Sequence, residues 1–491
     1  MNSKVKIKLA ILMTFVIFLD SSTIFIINLN LNPGNYNKDL ENNNYFKMGT
    51  NYLKISKISD KIHIVGNSGW LDFKNEGNCT GSGIYSDPYI IEDLVIDAKK
   101  SGNCILIENT NVFFIIKNCT LYNSGRTWPD AGIRIFNVTN SQILNNTCLN
   151  NYHGIYLSFC YNNTIIKNIL NYNRGGIYLH HYNYNNNLLE NNIRNNNENG
   201  IILEDYNYYN TISENSIIDN GINGIYCYNH NYYNTFSRNK VFNNTDYGIN
   251  LFFYNDDNTV SGNNVSRSTM NGINVYYSDS NIILNNTANN NNQYGISLSY
   301  FCDSNSILNN IANDNEIAGI SADLSDFSII SENYINNNMN YGINIYDCDY
   351  TIISNNTTNN NTIFGIFISH YSDYNYILEN TASYNRNSGI FIYLSSYNNI
   401  SESITNYNSI AGIKLVRSDF NTVSGNTLIG NEVCIIEEYC IGNTFRDNGA
   451  CKISVGTPDI SIYILFAILS ILSAILLIIS IILKKSPKFN S

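Results

Sequence analysis

The sequence predicts an all-β fold, a right-handed parallel β-helix of about fifteen rungs of roughly 23 residues, with a C-terminal transmembrane helix. Three observations carry this expectation. Gly followed by Ile recurs at Gly132, Gly154, Gly176, Gly200, Gly224, Gly248, Gly272, Gly295, Gly319, Gly342, Gly365, Gly389 and Gly412, always 22 to 24 residues apart. A second phrase, Asn-x-apolar-x-x-Asn, follows most of these pairs nine or ten residues after the Gly, as in NTISEN (210–215), NTFSRN (234–239) and NTVSGN (258–263). Finally, residues 460–483 form an apolar run without a charge.

Each unit holds three short stretches that alternate with period two, too short for helices and suited to strands. Cys104-Ile105 and Cys434-Ile435 continue the series with Cys in place of Gly. One rung cannot bury its own apolar side, so rungs must stack. The chain contains 94 Asn, yet 44% of its residues are hydrophobic, too many for a disordered tract. Ile and Val are therefore expected to point inward. Asn is expected at the bends, where its amide can hydrogen-bond along the stack and its backbone tolerates a left-handed conformation.

The ends read differently. Residues 1–29 (Lys4, Lys6 and Lys8, then an apolar run broken by Asp20) are read as a signal peptide or signal anchor. Residues 30–60 are read as a linker, 61–103 as an N-terminal cap with the first strands, 104–448 as the β-helix and 449–459 as a second linker. Residues 460–483 are long enough to span a bilayer. Lys484, Lys485 and Lys488 follow, so 484–491 is expected in the cytoplasm. The expected location is the cell membrane, crossed once, with the β-helix outside. Twelve Asn-x-Ser/Thr sequons, Asn145, Asn264 and Asn285 among them, permit glycosylation there. The net charge of −11 argues against nucleic acid as a partner.

The Gly-Ile-x-Leu…Asn-x-Ile-x-x-Asn rung resembles the NosD-type β-helix repeats of the wider group of carbohydrate-binding proteins and sugar hydrolases. GNCTGSGIYSDPYIIEDLVIDA (77–98) is similar to the start of such domains, and the resemblance spans roughly residues 62–448. It implies a β-helix and points to carbohydrate. NosD itself is associated with copper delivery. That role is not carried over, because the 6 His and 5 Met form no ligand-spaced motif.

Of the 11 Cys, none forms a CxxC pair. Disulfides are open among Cys434, Cys440 and Cys451 and among Cys79, Cys104 and Cys119. Cys160 and Cys348 are read as small buried side chains. Positions two and four after each Gly are expected to face outward. There Tyr156, Tyr178, Tyr226, Tyr228, Phe252, Tyr276, Tyr346, Phe367, Phe391 and Tyr393 would form an aromatic strip able to stack sugar rings, or simply a Tyr-rich β surface.

His180, Glu204 and Tyr228 share one position on successive rungs, His181 and Asp205 share the next, and His230 lies nearby. Such a cluster could perform acid–base cleavage of a polysaccharide, hold a metal, or be a solvated charge patch. Asp256, Asp279, Asp303, Asp326, Asp349, Asp373 and Asp419 form a column just before the second strand. An Asx-turn at each bend is expected, with calcium between rungs as the alternative; no other cofactor is expected. The expected function is a membrane-anchored, non-catalytic surface protein for binding, adhesion or envelope structure that contacts glycans or surface proteins. A polysaccharide lyase or glycoside hydrolase and a NosD-like metal-handling accessory protein remain alternatives.

Overall fold

The computed structural model describes residues 56–449 and 453–456. The segments read as signal, transmembrane helix and cytoplasmic tail, and Cys451, lie outside the described residues. Among the described residues no helix is long and apolar enough to cross a membrane.

The chain winds into a right-handed parallel coil of about 15 turns. Each turn visits three parallel sheets, named here B, C and A in chain order. Sheet B holds the Gly-Ile strands, such as His153–Ser158, Gly175–His180, Ile201–Glu204 and Ile225–Tyr228. Sheet C has 16 strands, from Tyr89–Glu92 to Thr444–Arg446, and takes the Asn-x-Ile phrase. Sheet A has 10 strands, from Lys57–Ser59 to Thr287–Asn289. Beyond it, pairing narrows to single bridges through Ile311, Tyr334, Thr357, Thr381, Ile404 and Thr427.

Register is set by the apolar alternation. Ile155, Ile177, Ile201, Ile225, Ile249 and Ile273 stand opposite one another on successive turns. All are buried, as are the residues two further on, Leu157, Leu179, Leu203, Cys227, Leu251 and Val275. Each such side chain contributes roughly 1.5–3 kcal/mol on burial, and a slip of one residue would turn the whole set outward.

The Asn residues are inside the coil. In the column between sheets C and A, Asn191, Asn215 and Asn239 follow one another, all essentially inaccessible. Asn215 donates from Nδ2 to Leu188 O (2.9 Å) and to Asn239 Oδ1 (3.0 Å), while its Oδ1 accepts from Asn191 N (2.9 Å) and Asn191 Nδ2 (3.0 Å). Parallel columns run through Asn186–Asn210–Asn234 before sheet C and Asn173–Asn196–Asn220 after sheet A. The left-handed backbone sits one residue earlier, at Glu190, Glu214, Arg238 and Gly262 (φ 53°, 58°, 51° and 65°). The ladder Asn is thus selected for its amide rather than for left-handed tolerance.

The repeated Gly answers to a steric limit at the corner between sheets A and B. A Cβ on Gly200 would lie 2.5 Å from Ile217 Cγ2 and 2.6 Å from Gly224 O. The same clash recurs one turn on, where a Cβ on Gly224 would lie 2.4 Å from Val241 Cγ1 and 2.6 Å from Gly248 O.

Lys57–Ser59, in the span read as linker, already pairs with Leu94–Ile96 in sheet A. The N-terminal end is covered by a helix, Gly66–Asn75, which the sequence reading did not foresee. Its buried Trp70 stacks on Tyr89 (5.2 Å) and packs on Phe114 (4.7 Å). At the other end, Val433–Glu438 continues sheet B, and Ile453–Val455 pairs with it.

The ten described cysteines are free thiols, which corrects the disulfides allowed at Cys79, Cys104, Cys119, Cys434 and Cys440. Several turn into the coil and donate to carbonyls instead: Cys104 Sγ to Tyr122 O (3.4 Å), Cys119 Sγ to Lys117 O (3.3 Å) and Cys440 Sγ to Glu438 O (3.2 Å). Cys160 and Cys348 are buried, as expected.

One loop breaks the repeat. Ser124–Asp130 lies between sheets A and B, and Asp130 O accepts from His153 N at 3.1 Å. His153 is 3% exposed, enclosed by Tyr152, Tyr156 and Tyr178, and neither ring nitrogen has a protein hydrogen-bond partner. Burial, with a smaller push from Arg174 and His180, holds this imidazole down at about 3.

Two outcomes are expected. Asn215→Ala orphans Asn191 N–H and Leu188 O, and should lower stability by about 2–4 kcal/mol; an unchanged denaturant midpoint would refute the ladder's role. For His153, the unfolded imidazole takes up a proton between pH 6.5 and 3 while the folded one stays neutral. The folded state therefore loses stability as pH falls, by of order 2 kcal/mol between pH 6.5 and 4.5. His153→Phe should flatten this part of the melting-temperature profile, and an equally steep fall in the variant would count against the buried neutral imidazole.

Candidate functional site

Strand alternation builds the first half of the site. Across Gly175–His180, Ile201–Glu204 and Ile225–Tyr228, His180 stands opposite Glu204, and Glu204 opposite Tyr228. Leu179, Leu203 and Cys227 point inward, so these three face out. The second half comes from the turn that follows. His181–Tyr182, Asp205–Tyr206 and Asn229–His230 are paired left-handed residues, with φ between 51° and 64°. In a continuing strand His181 would point away from His180. The left-handed turn instead brings the two rings to 3.6 Å between centroids.

His181 Nδ1 lies 3.3 Å from Asp205 Oδ2. Asn229 donates from Nδ2 to Asp205 Oδ1. One ligand atom from each of His180, His181 and Asp205 falls within 4.8 Å of the others, the one such group of three among the described residues. Trp128, from the loop that breaks the repeat, packs its ring 4.9 Å from His180 and 6.0 Å from Tyr156. Burial first, and then the neighbouring His181, holds the His180 imidazole down at about 4, with Asp205 opposing. Burial, then the Asp205 charge, raises the Glu204 carboxyl.

Not every residue joins this group. His230 stacks between Tyr206 (4.9 Å) and Tyr254 (5.0 Å), in a column beside the cluster. Tyr156, expected outward and open, is only 2% exposed, because Trp128, Tyr178 and His153 pack around it. The other expected aromatics are half-buried on the outer face of sheet B. Tyr226 and Tyr228 lie 5.9 Å apart, Tyr228 and Phe252 6.3 Å, and Phe252 and Tyr276 4.8 Å. Ser297, Ser299, Ser321 and Asp323 interrupt the strip. It resumes at Tyr346, then Phe367–Phe391 (5.2 Å) and Tyr393.

Sequence reasoning missed Trp128 and a second aromatic column. Phe327, Tyr350, Tyr374, Tyr397 and Phe420 stack face to face at 5.1–5.3 Å along the corner before sheet C, on left-handed backbone. The signal was present as an aromatic residue between the acidic column and the residue that opens the second strand. It also missed Asp323, outward on sheet B, which burial and the Asp347 charge push up to about 6.

The acidic column forms a ladder between turns rather than a set of Asx-turns. Asp256 Oδ1 accepts from Asp279 N (2.8 Å), Asp279 Oδ1 from Asp303 N (2.8 Å), and Asp303 Oδ1 from Asp326 N (2.8 Å). Asp326 Oδ1 accepts from Asp349 N (2.7 Å) and Asp349 Oδ1 from Asp373 N (2.7 Å). Burial raises the carboxyls of Asp256, Asp279, Asp326, Asp349 and Asp373, and the next turn's amide, Ser396 N in the case of Asp373, opposes the rise.

Among curated proteins none matches the chain. Solved structures similar to it include the periplasmic alginate epimerase AlgG, at 14% identity over 80% of this chain and 83% of that one, with a TM-score of 0.35. The A-module of mannuronan C-5 epimerase AlgE6 from Azotobacter vinelandii is 12% identical over 71% of this chain and 91% of its own, with a TM-score of 0.39. The pre-mature bacteriophage phi29 gene product 12 is 13% identical over 75% and 65%, with a TM-score of 0.47. Likenesses at this level say nothing about what this chain binds. The profile of the family described as periplasmic copper-binding protein (NosD) matches residues 251–381. The profile described as right handed beta helix region matches residues 103–265 and 324–450. Those two stretches make up more than half of the 491 residues and coincide with turns of the coil described above, so the chain belongs to the right-handed beta-helix family as a NosD-like repeat protein.

Proposed function

We propose that the protein is a non-catalytic binding protein held at the cell surface or envelope, and that the outer face of sheet B receives an extended polysaccharide. The observation that carries this reading is the aromatic strip Tyr226–Tyr228–Phe252–Tyr276, in which Tyr226 and Tyr228 share one turn and Phe252 and Tyr276 stand on the next two. Turns are spaced at ~4.8 Å, so a chain laid along the coil meets a ring on each of these three turns. Rings with a phenolic hydroxyl offer an apolar face and a polar edge together, which suits a sugar. A location outside the cell fits the NosD-like repeat and rests further on residues 460–483 as an anchor.

The geometry favours binding over cleavage. Glycoside hydrolysis uses two carboxyl groups that flank the scissile bond. Glu204 and Asp205 are neighbours on a single turn, and Asp205 is already engaged by His181 and Asn229. The acidic column is engaged as well, each carboxylate by the next turn's amide. One oxygen of each, Oδ1, is thus already taken by a backbone amide.

The purified full-length chain should be retained by at least one of a panel of neutral and acidic polysaccharides without shortening it. Replacing Tyr226, Phe252 and Tyr276 together by Ser should weaken retention roughly tenfold or more. Shortened product chains, abolished by Glu204→Gln, would overturn this reading in favour of an enzyme.

A further inference from the structure

We infer that His180, His181 and Asp205 form a binding site for one divalent first-row transition-metal ion of the zinc type, on the outer face of sheet B. The donor set is two imidazoles and one carboxylate, which suits such an ion better than calcium or magnesium, whose ligands are oxygens. The separation of His181 Nδ1 and Asp205 Oδ2, 3.3 Å, matches the edge of a tetrahedron with bonds of ~2.0–2.1 Å. The His180 donor lies within the same 4.8 Å group.

The surroundings hold these donors in place. The left-handed turn at His181 swings its ring beside that of His180 instead of across the strand, and the same turn one rung later aims Asp205 at it. Asn229 donates to Asp205 Oδ1 and leaves Oδ2 for the ion. Trp128 packs edge-on against the His180 ring and limits its rotation. Such outer partners orient metal ligands. Three protein ligands leave a position for water or for an oxygen of a bound molecule. The site lies outside residues 251–381, the segment matched by the NosD profile, and it stands on side-chain geometry that the aromatic strip does not share.

The test uses the full chain, stripped with a chelator and titrated with Zn²⁺ by calorimetry, with bound metal measured after dialysis. About one zinc per chain is expected. His181→Ala and Asp205→Asn should each weaken binding by at least ~10-fold, while His63→Ala, near the N-terminal helix, should not. Co²⁺ should give a visible absorption band that is lost in the same two variants. Circular dichroism checks that each variant keeps its fold; should His181→Ala lose it, His181→Gln replaces it in the comparison. No zinc retained by the unmodified chain would overturn the inference, and so would zinc retained equally by His181→Ala and Asp205→Asn. Neither outcome bears on polysaccharide retention, so failure of one proposal is distinguishable from failure of the other.

Discussion

The coil depends on how its corners satisfy the backbone. Each turn bends sharply three times, and every bend strands amide and carbonyl groups in an apolar interior, where an unpaired group costs roughly 1–3 kcal/mol. A buried Asn resolves this with one side chain. Its Oδ1 accepts from the backbone and side chain of the preceding turn's Asn, and its Nδ2 reaches a carbonyl of that turn and the Asn of the next, as Asn215 does. No other uncharged side chain offers a carbonyl acceptor and two donors in so short a reach except Gln, which is a methylene longer. Part of the chain's high Asn content is thus a direct consequence of such columns repeated along the stack.

Other features follow from that constraint. Columns of amides in register fix the turn height, which brings Gly200 within van der Waals limits of Gly224 O and Ile217 and excludes a Cβ there. They also fix the preceding residue in a left-handed conformation whatever its identity, as with Glu190, Glu214 and Arg238. Such a backbone costs about 1–2 kcal/mol for a residue with a side chain, and the ladder bonds offset it. Where the ladder changes residue the outcome varies: Ser403 Oγ, in line with Asn380 and Asn426, accepts from Asn380 N, whereas the hydroxyls of Ser268 and Thr351, which also stand in ladder positions, have no protein hydrogen-bond partner. Outward residues carry none of these demands, and their identity is free to serve function.

This division explains what was legible in the sequence. The Gly-Ile period, the three strands per turn and the inward Ile column could be read directly, because each is a local rule repeated many times. So was the pairing of His180 with Glu204 and Tyr228, which needs only the register of equal-length units. The buried state of Tyr156 was not legible. It depends on Trp128, which belongs to a loop outside the repeat and arrives from a different turn. The place of His230 was not legible either. Left-handed pairs such as Asn229–His230 rotate a side chain by an amount that period-two reasoning cannot supply, and the ring joins the Tyr206–Tyr254 stack. The acidic column was found, but its partner is an amide of the next turn rather than its own.

A solenoid of near-identical turns gives each outward position nearly the same surroundings on every turn. Specific chemistry therefore requires a place where the repeat is broken. In this protein the break is the Ser124–Asp130 loop, which lays Trp128 over Tyr156 and His180 and leaves His153 buried without a partner. The unusual residues gather within a few turns of it: four of the six His, the Glu204–Asp205 pair and Arg174. Farther along, the same outward positions carry chiefly Ser, Asn and aromatic residues, with charged exceptions such as Asp323 and Lys414. The first turns after the loop thus hold distinct, oriented donors, and the later turns supply a long face of plainer residues.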